Sequence, residues 1–566
     1  MTATRALDLV WRRFVDLLPT RQDLTAMGRQ PRRDLVAGLT VAVVALPLAL
    51  GFGVSSGAGA AAGLATAIVA GILAALFGGS NLQVSGPTGA MTVVLVPIVA
   101  QHGPGGVLTV GLLAGLILVV LALLRAGRYV RHVPAPVVEG FTVGIAAVIF
   151  LQQVPAALGV PASAGEGVLA VAGHALRDFA AQPYWPVLAL ALGVAAMMLV
   201  GSHLRPTLPF SLIAVGVATA VAHYTRLDVA QVGALPATLP TPSWAFLDPG
   251  AVPSLLTAAL AVAALAALES LMSATVADGM TVGQRHDPDR ELFGQGVANL
   301  VTPLFGGVPA TAAMARTAVN VRSGARSRLA ALSHAIVLAL IMLTAAPLVA
   351  HVPLAALAGV LLATAVRMVE VRALAALARS TRSDALVMAL TAIATLALDL
   401  VAAVGIGIVV AGALALRQIG RAARLEKVPL DLTDHHAAEE GVLREHMVTY
   451  RFDGPLFFVA AHRFQRELSE VDDVRVIILR MSRVSTVDGT GALVLRGAIE
   501  DLEQRGIAVF ISSVAAGHER ALTAVGVLDR LRKAGRVVAD TRTAIAAGRA
   551  HLHHTGALLE TEPVTD

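Results

Sequence analysis

Two short stretches carry residue types that can do chemistry inside an otherwise apolar chain. They are Ser85-Gly86-Pro87-Thr88-Gly89-Ala90-Met91 and Val308-Pro309-Ala310-Thr311-Ala312-Ala313-Met314-Ala315-Arg316. In each, a proline precedes a threonine, small residues and a methionine. In lipid, a backbone broken by Gly or Pro leaves amides that protein, water or a ligand must satisfy. Broken helices at matching places in two halves mark a transport site near the membrane midplane. Their N-termini would aim partial positive charge at one cavity, which suits an anion. The expected anion contacts are Thr88, Gly89 and Ala90 on the first break, and Ala312, Ala313 and Arg316 on the second. The Arg316 guanidinium would add a full charge there; the competing reading pairs it with Glu269 or makes it a helix cap.

Glu269 is the only Asp, Glu, Lys or Arg between Asp248 and Asp278. A charge at mid-bilayer costs roughly 2.5–3.5 kcal/mol even on the mild insertion scale, so it needs a partner or a proton. Ser273 follows at i+4 on the same helical face, and the two could offer oxygens to one small cation, or Glu269 could carry a proton. The alternative is a structural, hydrogen-bonded carboxyl. His286, Asp287 and Asp289 resemble a metal cluster only by proximity, since they sit in a polar loop; His435-His436 and His553-His554 read as solvated.

The elements that must position these residues follow from composition. Of 566 residues, 56% are hydrophobic and 14% charged, against about 25% charged in soluble domains. No Asp, Glu, Lys or Arg lies between Asp34 and Arg125, room for several spans of about 20 residues. Spans are expected near 34–53, 58–78, 84–101, 105–125, 134–157, 184–201 and 207–223, and, after a Pro-rich loop, near 252–276, 291–305, 309–320, 327–350, 352–370, 383–398 and 399–416. Seven is odd, so the second set enters from the opposite face and the fold expected is a polytopic helical protein with a 7+7 inverted repeat. Thr88 and Thr311 match at an offset of 223, which carries Leu46 onto Glu269 and gathers spans one, three, eight and ten around one site.

Basic residues flank the spans: Arg12, Arg13, Arg29, Arg32 and Arg33 before the first, and Arg417, Arg421, Arg424 and Lys427 after the last. By the positive-inside tendency both termini are cytoplasmic, which accounts for the net charge of +5 without nucleic acid as a partner. Residues 1–33 fit an amphipathic helix on the inner surface or a solvated leader. The absence of cysteine excludes disulfides and Cys-based zinc sites. The expected organisation is an N-terminal segment (1–33), a membrane domain (34–416), a linker (417–444), a soluble domain (445–552) and a tail (553–566). In the soluble part Val448–Phe452 alternates, Val474–Leu479 and Ala508–Ile511 read as strands, and Thr490–Glu503, 517–533 and 541–550 read as helices, a small α/β domain.

Taken together these stretches resemble the sulfate permease family of anion transporters over nearly the whole chain. The tail resembles a STAS domain: Val487-Asp488-Gly489-Thr490-Gly491 is similar to its Asp-x-(Ser/Thr)-Gly turn, which implies a regulatory site at Asp488 and Thr490, with Thr490 at the position phosphorylated in some relatives. The resemblance implies core and gate domains, an anion held between the starts of spans three and ten, and a homodimer. The segment Glu269–Ser273, with Gly306-Gly307-Val308-Pro309 and Arg316-Thr317, most resembles the family's sodium-dependent bicarbonate transporters. That implies a sodium site at Glu269 and Ser273 with backbone near Ala312 to Met314, and no other cofactor. Glu and Ser stand where that subgroup has Asp and Thr, so sodium and proton coupling both remain open. Leu48 follows Pro47 where many relatives carry Gln, which removes a donor and favours a smaller, singly charged anion such as bicarbonate, with the sulfate dianion as the second expectation. The expected function is secondary active anion transport at the plasma (inner) membrane. The rivals are uncoupled anion conduction, nucleobase:cation symport and a membrane-anchored STAS regulator; no motif supports an enzyme.

Overall fold

Apolar runs without charge can satisfy their backbone in lipid only as helices, and the computed structural model is dominated by them. It describes residues 11–130, 133–161, 167–205, 208–398, 400–430, 437–470 and 474–557. Two compact units emerge, Met1–Val409 and Val410–Asp566.

The first unit contains α1 (Arg21–Met27), α2 (Pro31–Ser55), α3 (Ala60–Phe77), α4 (Gly89–Leu123), α5 (Ala135–Leu158), α6 (Val168–Ala181), α7 (Trp185–Leu204) and α8 (Phe210–Tyr224). It continues with α9 (Val252–Gly279), α10 (Pro288–Val301), α11 (Met314–Arg322), α12 (Leu329–Val349), α13 (Leu354–Met368), α14 (Val371–Ser380), α15 (Arg382–Ala397) and the start of α16 (Leu400–Ala422). Among the described residues nine helices are long and apolar enough to cross a membrane, and Phe210–Tyr224 is a shorter apolar one. A helical segment stands at each expected span. The third and fourth are the two limbs of α4, broken at Gly103, whose φ of 67° breaks the helix before Pro104, a conformation glycine adopts without steric cost.

In the first unit two helices of ten or more residues were not expected. α6 and α14 each follow the fifth span of their half, and each is amphipathic, with Arg177 and Asp178 on the first and Arg372 and Arg379 on the second. Their period-3.6 pattern is too polar to read as a span and too apolar to read as a loop.

Both broken stretches begin as strands. β1 (Ser85–Gly86) and β2 (Thr311–Ala312) pair antiparallel, Ser85 opposite Ala312 and Gly86 opposite Thr311. The crossing gives the broken backbone partners of its own. It also shifts the repeat by two residues: Thr88 caps α4 whereas Ala313 caps α11, 225 positions on, so Thr311 lies in the strand rather than at the matching cap. Close helix contact holds this region. A Cβ on Gly115 would lie 2.8 Å from the Gly296 carbonyl oxygen, so α4 and α10 meet backbone to backbone, as small residues allow in membranes.

The N-terminal segment packs one side onto the helices over its described part, while many of its residues stay exposed. Leu17 is buried, Phe14 stacks edge-on against Phe293 with ring centroids 5.6 Å apart, and Arg13 pairs with Asp289 at 2.7 Å. Asp23 bonds Arg290 at 2.7 Å and lies 3.5 Å from Arg328. Burial works against the Asp23 charge, but the Arg290 and Thr20 hydrogen bonds and the Arg328 charge outweigh it and hold the carboxyl at about 2. Residues 1–10 lie outside the described residues.

The second unit is an α/β domain with sheet order β3 (Arg424–Val428), β4 (Met447–Leu456), β5 (Val476–Val487), β6 (Ala508–Ser512) and β7 (Val537–Val538). β3 is antiparallel to β4 and the other pairs are parallel. The expected linker, 417–444, therefore contributes the edge strand. Its exposed residues alternate weakly, which hid it. The helices are α17 (Ala437–His446), α18 (Phe458–Ser469), α19 (Gly489–Gln504), α20 (Ala516–Ala524), α21 (Val527–Lys533) and α22 (Thr541–His554). The His435-His436 pair lies outside the described residues.

Candidate functional site

The site is assembled by α4, α9 and α11 around the strand crossing. Glu269, half-buried on α9, accepts a hydrogen bond from Thr88 Oγ1 at 2.9 Å. The Thr311 hydroxyl is close to the same carboxylate and is bonded to Ser270 Oγ at 3.0 Å. The two threonines of the paired motif thus both bond to α9, Thr88 at Glu269 and Thr311 at the next residue, Ser270.

Arg316 is buried, and its Nη2 donates to the Pro87 carbonyl at 2.6 Å. The guanidinium of α11 therefore grips the turn that starts α4. It lies against Gly86, where an added Cβ would sit 2.8 Å from Nη1. Glu269 and Arg316 attract one another without an ion pair between them among the described residues, so the guanidinium is not consumed by the carboxylate.

The amides divide into spent and free. Ala312 N–H donates to Ser270 Oγ at 3.2 Å and Ala313 N–H to the Val84 carbonyl at 2.9 Å. The expected anion donors Ala312 and Ala313 thus already hold partners in this structure, Ser270 on α9 and the backbone of Val84. The first-turn amides without a partner among the described residues are those of Gly89 and Ala90 on α4, and Met314, Ala315 and Arg316 on α11. Such orphan donors are inherent to a helix start. Met314 and Ala315 are exposed, whereas Thr88, Gly89 and Ala90 are buried, so the site is open on the α11 side.

Ser273 is fully buried one turn beyond Glu269 and donates to Thr317 Oγ1 at 3.1 Å, which also accepts from Val84 N–H at 3.1 Å. Its hydroxyl supports the crossing through Thr317.

Sequence reasoning missed a polar stripe on α10. Glu291, Gln295 and Asn299, spaced i, i+4, i+8, are all buried. Glu291 accepts from Gly79 and Ser80 N–H at 2.9 and 3.1 Å, Gln295 donates to Ser85 Oγ at 2.7 Å, and Asn299 pairs both ways with the Ala310 backbone at 2.8 and 2.9 Å. Three polar residues on one face of an expected span were the available signal. Among the described residues no metal-holding cluster of His, Asp or Glu occurs. Instead His286 pairs with Asp278 at 2.7 Å, Asp287 caps α10, and Asp289 pairs with Arg13.

In the second unit Asp488 caps α19, accepting from Gly491 N–H at 2.7 Å and from Phe458 N–H at 3.2 Å. Thr490 is exposed in the first turn of that helix.

Residues 32–391 match the sulfate permease family and residues 440–543 the STAS domain. The bicarbonate transporter BicA of Picosynechococcus is 32% identical, the match covering 89% of this chain and 92% of BicA. The solved transmembrane domain of a cyanobacterial BicA superposes with a TM-score of 0.60 at 32% identity, covering 68% of this chain and 97% of that one. The structure of SLC26A9 superposes with a TM-score of 0.80 over 99% of this chain and 96% of that one, at 17% identity, a likeness of fold. The chain is therefore a multi-pass membrane anion transporter of the sulfate permease family with a C-terminal STAS domain.

Proposed function

We propose that this protein carries a small inorganic anion, bicarbonate first and sulfate second, by alternating access, driven by sodium or proton entry at Glu269. The observation that carries the reading is the convergence of two helix starts: free amides at Gly89 and Ala90 and at Met314 and Ala315, beside the buried Arg316. Helix-end dipoles and a desolvated guanidinium favour an anion and disfavour a cation or neutral base. The preference for bicarbonate is supported by the extended likeness to BicA and by Leu48, which offers no side-chain donor. The protein acts in the plasma membrane with both termini cytoplasmic, as a homodimer, and a phosphate on Thr490 would meet the first-turn amides of α19.

Uptake of labelled bicarbonate and of labelled sulfate into proteoliposomes, with and without an inward sodium gradient at fixed pH, tests it. Sodium-driven bicarbonate uptake is expected, with Glu269 and Ser273 as the cation site. Sulfate uptake driven by an inward proton gradient makes Glu269 the proton carrier and reverses the substrate order. Unchanged uptake by both Arg316→Gln and Glu269→Gln removes the site altogether.

A further inference from the structure

Near the crossing, several buried polar atoms have no partner among the described residues: Arg316 Nη1, both ring nitrogens of His334, and Gln295 Oε1. They belong to one neighbourhood. Ala67 and Gly71, one turn apart on α3, form a small-residue face beneath β1. A Cβ on Gly86 would lie 2.8 Å from Arg316 Nη1 and 3.4 Å from Ala67 Cα. A Cβ on Gly71 would lie 3.7 Å from the Ser85 carbonyl oxygen and 3.9 Å from His334 Cε1. Gln295 reaches the same strand through Ser85 Oγ. His334, fully buried on α12, senses the Arg316 charge. The Ala331 carbonyl lies near its ring without the geometry of a hydrogen bond.

We propose that His334 is a positioning residue for Arg316, bracing its second arm through a water-mediated hydrogen bond while Pro87 holds the first. A buried polar atom without a partner is costly, and waters with two to four polar partners are the usual remedy in interiors. A neutral imidazole supplies the acceptor that Nη1–H requires and a donor for the Gln295 carbonyl oxygen. With one arm on the Pro87 carbonyl and the other on this relay, the guanidinium plane is fixed across the starts of α4 and α11. His334 thus sets the anion's field without touching the anion. The inference rests on the reading of Arg316 as part of the anion site.

The test is uptake kinetics of the full chain in proteoliposomes, using whichever of labelled bicarbonate or sulfate the wild type carries. His334→Phe, which keeps the ring and removes both polar atoms, is expected to raise KM about tenfold with kcat within about twofold. His334→Gln, which restores a donor and an acceptor, is expected to return KM to within about threefold of wild type. His334→Leu carries the same expectation as Phe if the ring is not tolerated. A normal KM in the apolar variants overturns the inference, as does a Gln variant no better than they are. If Arg316→Gln raises KM while His334→Phe does not, only this inference fails. If neither changes KM, the anion reading fails first.

Discussion

Gly86 makes the sharpest test of the Arg316 clamp, because a single methyl group there competes with the guanidinium for space. The Cβ of Gly86→Ala would lie 2.8 Å from Nη1 and 3.4 Å from Nη2. Arg316 must yield by roughly half an ångström before that contact becomes ordinary, and its 2.6 Å bond to the Pro87 carbonyl is what it has to give up. A hydrogen bond from a charged group contributes about 1.5–3 kcal/mol, so the anion KM should rise about tenfold to a hundredfold. The φ of 154° at Gly86 adds backbone strain that would appear as a lower melting temperature. The two effects separate in a double-mutant cycle. In an Arg316→Gln background, Gly86→Ala should cost nothing further in KM, since the clamp is already gone, while the loss of melting temperature persists. Gly216→Ala, at a position with nothing within 4 Å, is the control. An unchanged KM in Gly86→Ala, or fully additive costs in the cycle, refutes the clamp.

Glu269→Gln should abolish the dependence of uptake on the driving gradient while leaving anion exchange between equal pools measurable; retained gradient dependence would place coupling elsewhere. Asn299→Ala leaves both backbone groups of Ala310 buried and unpaired, at about 1–3 kcal/mol each, so the purified protein should melt at lower temperature, and a shift no larger than that of an exposed alanine substitution would remove Asn299 from the supports of β2. Asp23→Asn should lower the melting temperature at neutral pH. Because the folded carboxyl titrates at about 2, below its usual 3.8, that stabilisation is present above the unfolded value and fades as pH falls from about 4 towards 2; a penalty that stays constant across this window counts against the Arg290 and Arg328 pairing. Asp488→Ala should cost about 1 kcal/mol as a lost helix cap, read as a lower midpoint for the STAS transition in chemical denaturation.

The span positions were legible because apolar runs of bilayer length have one stable outcome, and Glu269 stood out because a lone acid in such a run demands an explanation. The twin Pro-Thr motifs pointed to the crossing, where Thr88 bonds Glu269 and Thr311 bonds Ser270 on the same helix. What stayed hidden was the detail that depends on long-range pairing. Ser85–Gly86 and Thr311–Ala312 are too short to show a period-two pattern, so the crossing, the two-residue shift of the repeat and the commitment of the Ala312 and Ala313 amides could not be read locally. The amphipathic α6 and α14 fell between the signatures of span and loop. The edge strand β3 lies in a sequence that is mostly exposed, and exposed strands carry little alternation.

On the coupling proposed at Glu269, one hydroxyl offers a physical route. Thr88 Oγ1 donates to Glu269 Oε2 at 2.9 Å and accepts from Met91 N–H at 3.4 Å, closing the first turn of α4. A hydroxyl has a single proton, so its direction is set by whether Glu269 can accept it. When Glu269 is ionised the proton points to the carboxylate and the oxygen lone pairs face the helix, which keeps the cap and leaves only the Gly89 and Ala90 amides free in that turn. When a proton sits on Glu269 Oε2 that oxygen becomes a donor to Thr88, and a cation there occupies its lone pair, so the Thr88 proton is free to turn elsewhere while its oxygen still accepts from Met91. The number of donors offered to an anion at the start of α4 then depends on the state of Glu269, with no helix required to move. Thr88→Ser keeps this rotor and Thr88→Val keeps only its shape. If Thr88→Val uncouples anion uptake from the gradient while Thr88→Ser does not, the hydroxyl is the link; equal coupling in both assigns the link to the Glu269–Arg316 attraction instead.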